Sequence, residues 1–193
     1  MKKLFHPHNP IYSKITILGD PYPCGVYLLA IRLTEDQQLA FGEFQYGKMI
    51  NLPQGTYLYV GSAFGQHRTS SLGYRLLRHA SRSGSEVPHL IRPALQQSIE
   101  AVGLLGSLPK RKTPHWHIDY LLDLIYAEIR GVVVLRTKKH IESQVADRLA
   151  QQPEVMILAK GLGASDYPGK THLFFVDADD DWWAKLPENL KIN

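Results

Sequence analysis

The sequence predicts an α/β fold, a small mixed or antiparallel sheet with flanking helices. Three observations carry this expectation. Short β-branched and aromatic runs separated by turn residues come first, helical periodicity then takes over, and apolar strands return between helical segments near the end. The order strands, helix, insertion, helix, strand, helix, strands implies helices layered on a sheet, without the alternation of a doubly wound parallel fold. With 193 residues, 44% hydrophobic and 21% charged, the chain can build one substantial core and is short for two domains. We expect one domain over 1–176 with an insertion at about 83–110, followed by an acidic appendix over 177–193.

The elements follow in order. "CGVYLLAIRL" (24–33) leaves a Pro-rich turn and ends at "TEDQQ", which reads as a strand and a polar turn. "LAFGEF" and, after "NLPQG", "TYLYVG" read as two more strands, close enough in sequence for an antiparallel meander. In "SSLGYRLLRHASRS" the period changes to helical: Leu72 and Leu76 share a face, and Arg75, Arg78 and Arg82 form a stripe beside it. The insertion keeps helical spacing at Ile91, Leu95, Ile99 and Val102, with Pro88 suited to a first turn, and ends in a basic loop, "KRKTP", expected to be mobile. "HWHIDYLLDLIYAEI" places Ile118, Leu121, Leu122 and Ile125 at core-facing helical positions. "RGVVVL" reads as a buried strand, and "TKKHIESQVADRLAQQ" as a helix with Thr137 as its cap. "VMILA" and "THLFFV" read as strands around the Gly-rich loop "KGLGASDYPGK", and the tail is expected to dock through its tryptophans or remain disordered.

Composition narrows the function classes. The single cysteine, Cys24, excludes an internal disulfide and a Cys-rich zinc motif, and fits a reducing compartment. No apolar run approaches the ~20 residues of a membrane span, so a cytoplasmic protein without membrane contact is expected. Residues 1–176 hold 20 basic and 13 acidic side chains, whereas the tail is acidic. A basic body suits a polyanion such as nucleic acid, and an acidic tail suits a protein partner or shields a basic groove. Phosphate-cradling glycine motifs and the "GxSxG" nucleophile elbow are missing, which disfavours ATPase, dehydrogenase and serine-hydrolase readings.

Five motifs run in a fixed order: "GVY" with "GTYLYVGSA", "RLLRH", "HWHIDYLL", "HIESQVA" and "GLGASDYPGKTHLFF". Together they resemble the GIY-YIG nuclease superfamily, and more closely its domain-of-unknown-function branch, over residues 24–176. The resemblance implies a GIY-YIG-like fold and a metal-dependent endonuclease acting on DNA or structured nucleic acid. It implies Tyr27, Tyr59, Arg75 and His117 as catalytic residues, and Glu142 as the ligand of one Mg²⁺ or Mn²⁺. Arg78, Arg82 and Lys112 become candidate nucleic-acid contacts, and His79, His115, Asp119, Ser165, Asp166 and His172 candidate lining residues. A tyrosine of ordinary pKa ~10 is a poor base at neutral pH, so either adjacent cationic charge, for which Arg75 and Arg78 are the candidates, lowers it or a water shares the proton.

The residues also admit plainer readings. Tyr57 and Tyr59 share a strand face, the ordinary arrangement of half-buried tyrosines, with Tyr57 expected to build the sheet and Tyr59 to face the site. Arginine stripes are commonly solvated, a glutamate in a first helical turn is favoured by the helix dipole, and His117 can cap a helix. His115 and His117 form a His-x-His pair, but no third zinc ligand accompanies them in sequence. The alternative to a nuclease is a non-catalytic nucleic-acid-binding or protein-interaction module on the same fold.

Overall fold

The computed structural model describes residues 14–65, 70–84, 86–109, 111–164 and 169–190. Its centre is a mixed six-stranded sheet: β1 (Ile15–Gly19), β2 (Gly25–Leu33), β5 (Gly55–Ala63), β6 (Ala127–Arg136), β7 (Val155–Met156) and β8 (Leu173–Val176) in the order β1-β6-β2-β5-β8-β7. β1 runs parallel to β6, and every other pairing is antiparallel. The α/β class expected from the sequence therefore holds.

β2 and β5 are nearly continuous apolar runs because the sheet is covered on both faces. Alternation along β2 sends Tyr27, Leu29, Ile31 and Leu33 to one core, and Val26, Leu28 and Ala30 to the other. The first core is closed by α1 (Leu72–His79), α2 (Arg92–Ala101) and α3 (His117–Leu122), which supply Leu72, Leu76, Leu95, Ile99, Ile118 and Leu121. The second is closed by α4 (Glu142–Ala150) and the C-terminal segment, through Val145, Leu149, Trp183, Leu186 and Leu190. Each such side chain contributes roughly 1.5–3 kcal/mol on burial, so both layers are integral to stability.

Several expectations change. The meander is not formed: β2 pairs directly with β5, and the chain between them folds into a separate two-stranded sheet, β3 (Gln37–Ala40) with β4 (Met49–Leu52). Ile50 and Leu52 alternate inward along β4, a pattern concealed by the turn residues that follow it. The insertion contributes to the core, where Leu95, Ile99 and Leu104 pack under α1. Gly73 permits this approach, because a Cβ there would meet the Leu104 carbonyl oxygen at 2.2 Å. Pro93, not Pro88, occupies the first turn of α2, where its missing N–H costs nothing.

The helix of "HWHIDYLL" ends at Leu122, leaving Ile125 exposed. α4 starts at Glu142, and Thr137 instead accepts a hydrogen bond from the Lys139 N–H before it. The acidic appendix is docked: α5 (Asp180–Ala184) is capped by Asp179, and the Trp182 indole N–H donates to Gln152. Strand β1 lies in a stretch where no strand was expected. Among the described residues, no helix is long and apolar enough to cross a membrane.

Candidate functional site

β5 ends at Ala63 and α1 begins at Leu72, and the two elements pack against each other. Ser71 caps α1 by accepting from the Tyr74 N–H, which fixes the rotation of the helix and sends Arg75 back over the strand end. There the Arg75 guanidinium donates to the Ser62 carbonyl at 2.6 Å and lies 4.5 Å from the Trp116 ring centroid. On the opposite side, Ser62 Oγ donates to Glu142 Oε2 at 2.5 Å, and His172 Nδ1 lies 3.4 Å from Glu142 Oε1. Between these groups is a cavity of about 230 Å³. Tyr59, Arg75, Glu142 and His172 line it, together with Trp116.

This volume is below the roughly 300–1,000 Å³ typical of sites enclosing a whole small molecule. It suits one charged group of a larger ligand. The lining chemistry agrees, with a guanidinium, a carboxylate, an imidazole, a phenol and the serine hydroxyl in one space.

Behind this wall lies a buried polar chain. The Tyr27 hydroxyl meets His79 Nε2 at 2.8 Å, and His79 Nδ1 faces Asp119 Oδ1 at 3.6 Å. Asp119 accepts two bonds from Arg78, both at 2.9 Å, and its Oδ2 also accepts the backbone N–H groups of His115 and Trp116. Burial drives the His79 imidazole down to about 4, so it is neutral at neutral pH and can accept the Tyr27 proton in a hydrogen bond. Burial alone would raise the Asp119 carboxyl. The nearby His79 imidazole, the hydrogen bonds from Arg78 and the charge of Lys112 more than offset this, holding it well below the carboxylate range.

The tyrosines do not behave as expected. Burial pushes both the Tyr27 and Tyr59 hydroxyls up, and the Arg75 charge only partly offsets it. Arg78 is committed to Asp119. Both tyrosines are therefore neutral hydroxyls at neutral pH. Tyr59 lines the cavity, whereas Tyr27 is fully buried beneath it. Tyr57, as expected, builds the sheet, with its hydroxyl donating to the Pro53 carbonyl.

The remaining expected site residues are distributed as follows. His117 lies behind the cavity wall, where Nδ1 accepts the Gly163 N–H at 3.2 Å and holds a lining loop in place. His117 is not among the residues that line the cavity. Arg78, Arg82 and Lys112 are corrected as nucleic-acid contacts: their charges turn inward. Arg82 is bound to the Val87 and Ala127 carbonyls and to Glu128, and Lys112 reaches Asp123 at 2.9 Å. Their carboxylate partners come from distant segments, so the stripe gave no sign of this in sequence. His115 is exposed, and His79 and Asp119 are buried behind the cavity. Ser165 and Asp166 lie outside the described residues.

Phe64 and His140, which line the cavity, were not singled out by the sequence. Their signal was positional: Phe64 follows Ser62 by two residues, and His140 precedes Glu142 by two.

Among the described residues, no three His, Cys, Asp or Glu groups converge on a metal position. A lone carboxylate at a cavity wall is the donor set of a largely hydrated hard cation such as Mg²⁺, which keeps its waters and uses one or two carboxylates. Glu142 fits that description.

Comparison with curated proteins and comparison with solved structures each give no match. Residues 26–192 match the model of a family described as Domain of unknown function DUF123, and the chain belongs to that family.

Proposed function

We propose that the cavity binds one phosphodiester of a nucleic acid and hydrolyses it with the aid of a divalent cation. The observation that supports this reading is convergence. Tyr59, Arg75, Glu142 and His172, drawn from four separate segments, face one small cavity. The GIY-YIG resemblance of the motifs that bring them there points the same way.

Phosphodiester hydrolysis needs charge neutralisation at the phosphoryl oxygens, a positioned water and help for the leaving oxygen. Arg75 is the cationic side chain lining the cavity, and its planar donors match phosphate oxygens. Glu142 would hold a single Mg²⁺ or Mn²⁺, which supplies the Lewis-acid component when bound. Tyr59, neutral and at the wall, orients the attacking water. His172, next to Glu142, is placed to receive the proton. Tyr27 and His79 form the rigid floor against which Tyr59 and Arg75 are set.

Incubation with labelled single-stranded, duplex and branched DNA, with Mn²⁺ and with chelator, tests the reading. Metal-dependent cutting of any of the three supports it. Binding without cutting transfers the fold to a non-catalytic nucleic-acid module, and the lack of salt-sensitive binding to all three removes nucleic acid as the ligand.

A further inference from the structure

Phe64 and His140 stack face to face at the cavity wall, with ring centroids 3.9 Å apart and planes inclined by 28°. They come from the two segments that carry the cavity's chemistry. Phe64 is two residues past Ser62, and His140 two residues before Glu142, so the Ser62–Glu142 hydrogen bond ties both ring-bearing segments together. Phe64 is half-buried and rests on the second core, while His140 is exposed. The pair is thus an anchored ring supporting an outer ring that is open to solvent.

The adjacent surface is cationic. Lys138 and Lys139 directly precede His140, all three are exposed, and Lys138 is held 4.8 Å from the Tyr22 ring centroid. Of the other large aromatics at the cavity, Tyr59 is buried and Trp116 is already engaged by Arg75 and Arg78. His140 is therefore the ring with a face to offer.

We propose that the stacked Phe64–His140 pair is a nucleobase-stacking subsite, taking the base next to the phosphodiester held at Arg75 and Glu142. This rests on the proposed nucleic-acid reading of the cavity and adds a substrate class to it. A base inside a duplex already has both faces covered by its neighbours, whereas an aromatic platform accepts only a base that has left the stack. The subsite selects single-stranded, frayed or branched nucleic acid over continuous duplex, with little sequence preference, since every base has a π-face.

The test separates binding from cleavage by working in chelator. Fluorescence anisotropy gives the affinity of one labelled mixed-sequence oligonucleotide, single-stranded and annealed, for wild type, His140→Ala and His140→Tyr. The expected result is tighter single-strand than duplex binding by wild type and a loss of about tenfold in single-strand affinity for His140→Ala, consistent with one stacked base. Duplex affinity stays within about twofold, and His140→Tyr, which keeps an aromatic face without the imidazole, retains single-strand binding. Equal loss on both substrates, no loss, or no wild-type preference overturns the subsite. If Glu142→Ala abolishes metal-dependent cutting while His140→Ala binds like wild type, the subsite fails and the nuclease reading stands. Wild type that binds neither substrate overturns both.

Discussion

Tyr27 lies across the backbone of Gly61, its directly opposed partner on the neighbouring strand: a Cβ on Gly61 would meet the Tyr27 hydroxyl oxygen and ring carbon at 2.5 Å. The two tripeptides "GVY" and "YVG" are thereby one structural unit, since the glycine of the second makes room for the tyrosine of the first. Gly61→Ala must displace the Tyr27 ring and break its hydrogen bond to His79. The expected cost is about 1–3 kcal/mol in urea denaturation, with the loss of any cleavage activity exceeding what the remaining folded fraction explains.

Asp119 anchors the floor of the site. Asp119→Ala leaves Arg78 buried without its carboxylate and Lys112 with Asp123 alone, an arrangement that costs about 3–5 kcal/mol. Its folded carboxyl is held below the ordinary range, so its contribution is fully present above pH ~4 and is lost as pH falls further. The stability gap between wild type and Asp119→Ala, read from denaturation midpoints, should therefore narrow below pH ~4 and not above it.

The histidine floor has its own pH window. His79 is lowered to about 4 from an ordinary 6.5, so its stabilising contribution is complete above pH 6.5 and diminishes as pH falls towards 4. His79→Gln keeps an acceptor for Tyr27 but cannot titrate. Its denaturation midpoint should fall less steeply than that of wild type between those pH values. Some slope remains, because burial lowers His89 and His117 in the same direction.

Arg75 and Arg82 separate binding from structure. Arg75→Ala should weaken nucleic-acid affinity and reduce the slope of log affinity against log salt by about one. Arg82, with its charge spent on Glu128 and two carbonyls, should behave in the opposite way. Arg82→Ala lowers the denaturation midpoint and leaves the salt slope unchanged.

What the sequence revealed depended on the kind of signal. β2, β5 and α1 were legible because long apolar runs and a 3.6-residue period are local properties. Tyr59, Arg75, Glu142 and His172 were found through motifs, and the cavity gathers them. β1 was not legible, since it is short, half-buried and defined by its pairing with β6 more than 100 residues away. The inward turn of Arg78, Arg82 and Lys112 was equally hidden. It depends on Asp119, Asp123 and Glu128, carboxylates that only the folded chain brings into contact with them. A tyrosine pKa lowered by the adjacent arginines was one of the two routes expected, beside a water that shares the proton. Burial dominates instead, and burial is a property of the whole fold.

The central claim is that Glu142 and its cavity carry out phosphodiester hydrolysis. The most direct test compares wild type and Glu142→Ala on the same labelled DNA with Mn²⁺, alongside the affinity of each protein for that DNA in chelator. The account predicts that cutting by wild type disappears in the variant while affinity changes by less than about threefold, since Arg75 supplies the binding charge. Cutting that persists in a pure, folded Glu142→Ala protein would contradict it.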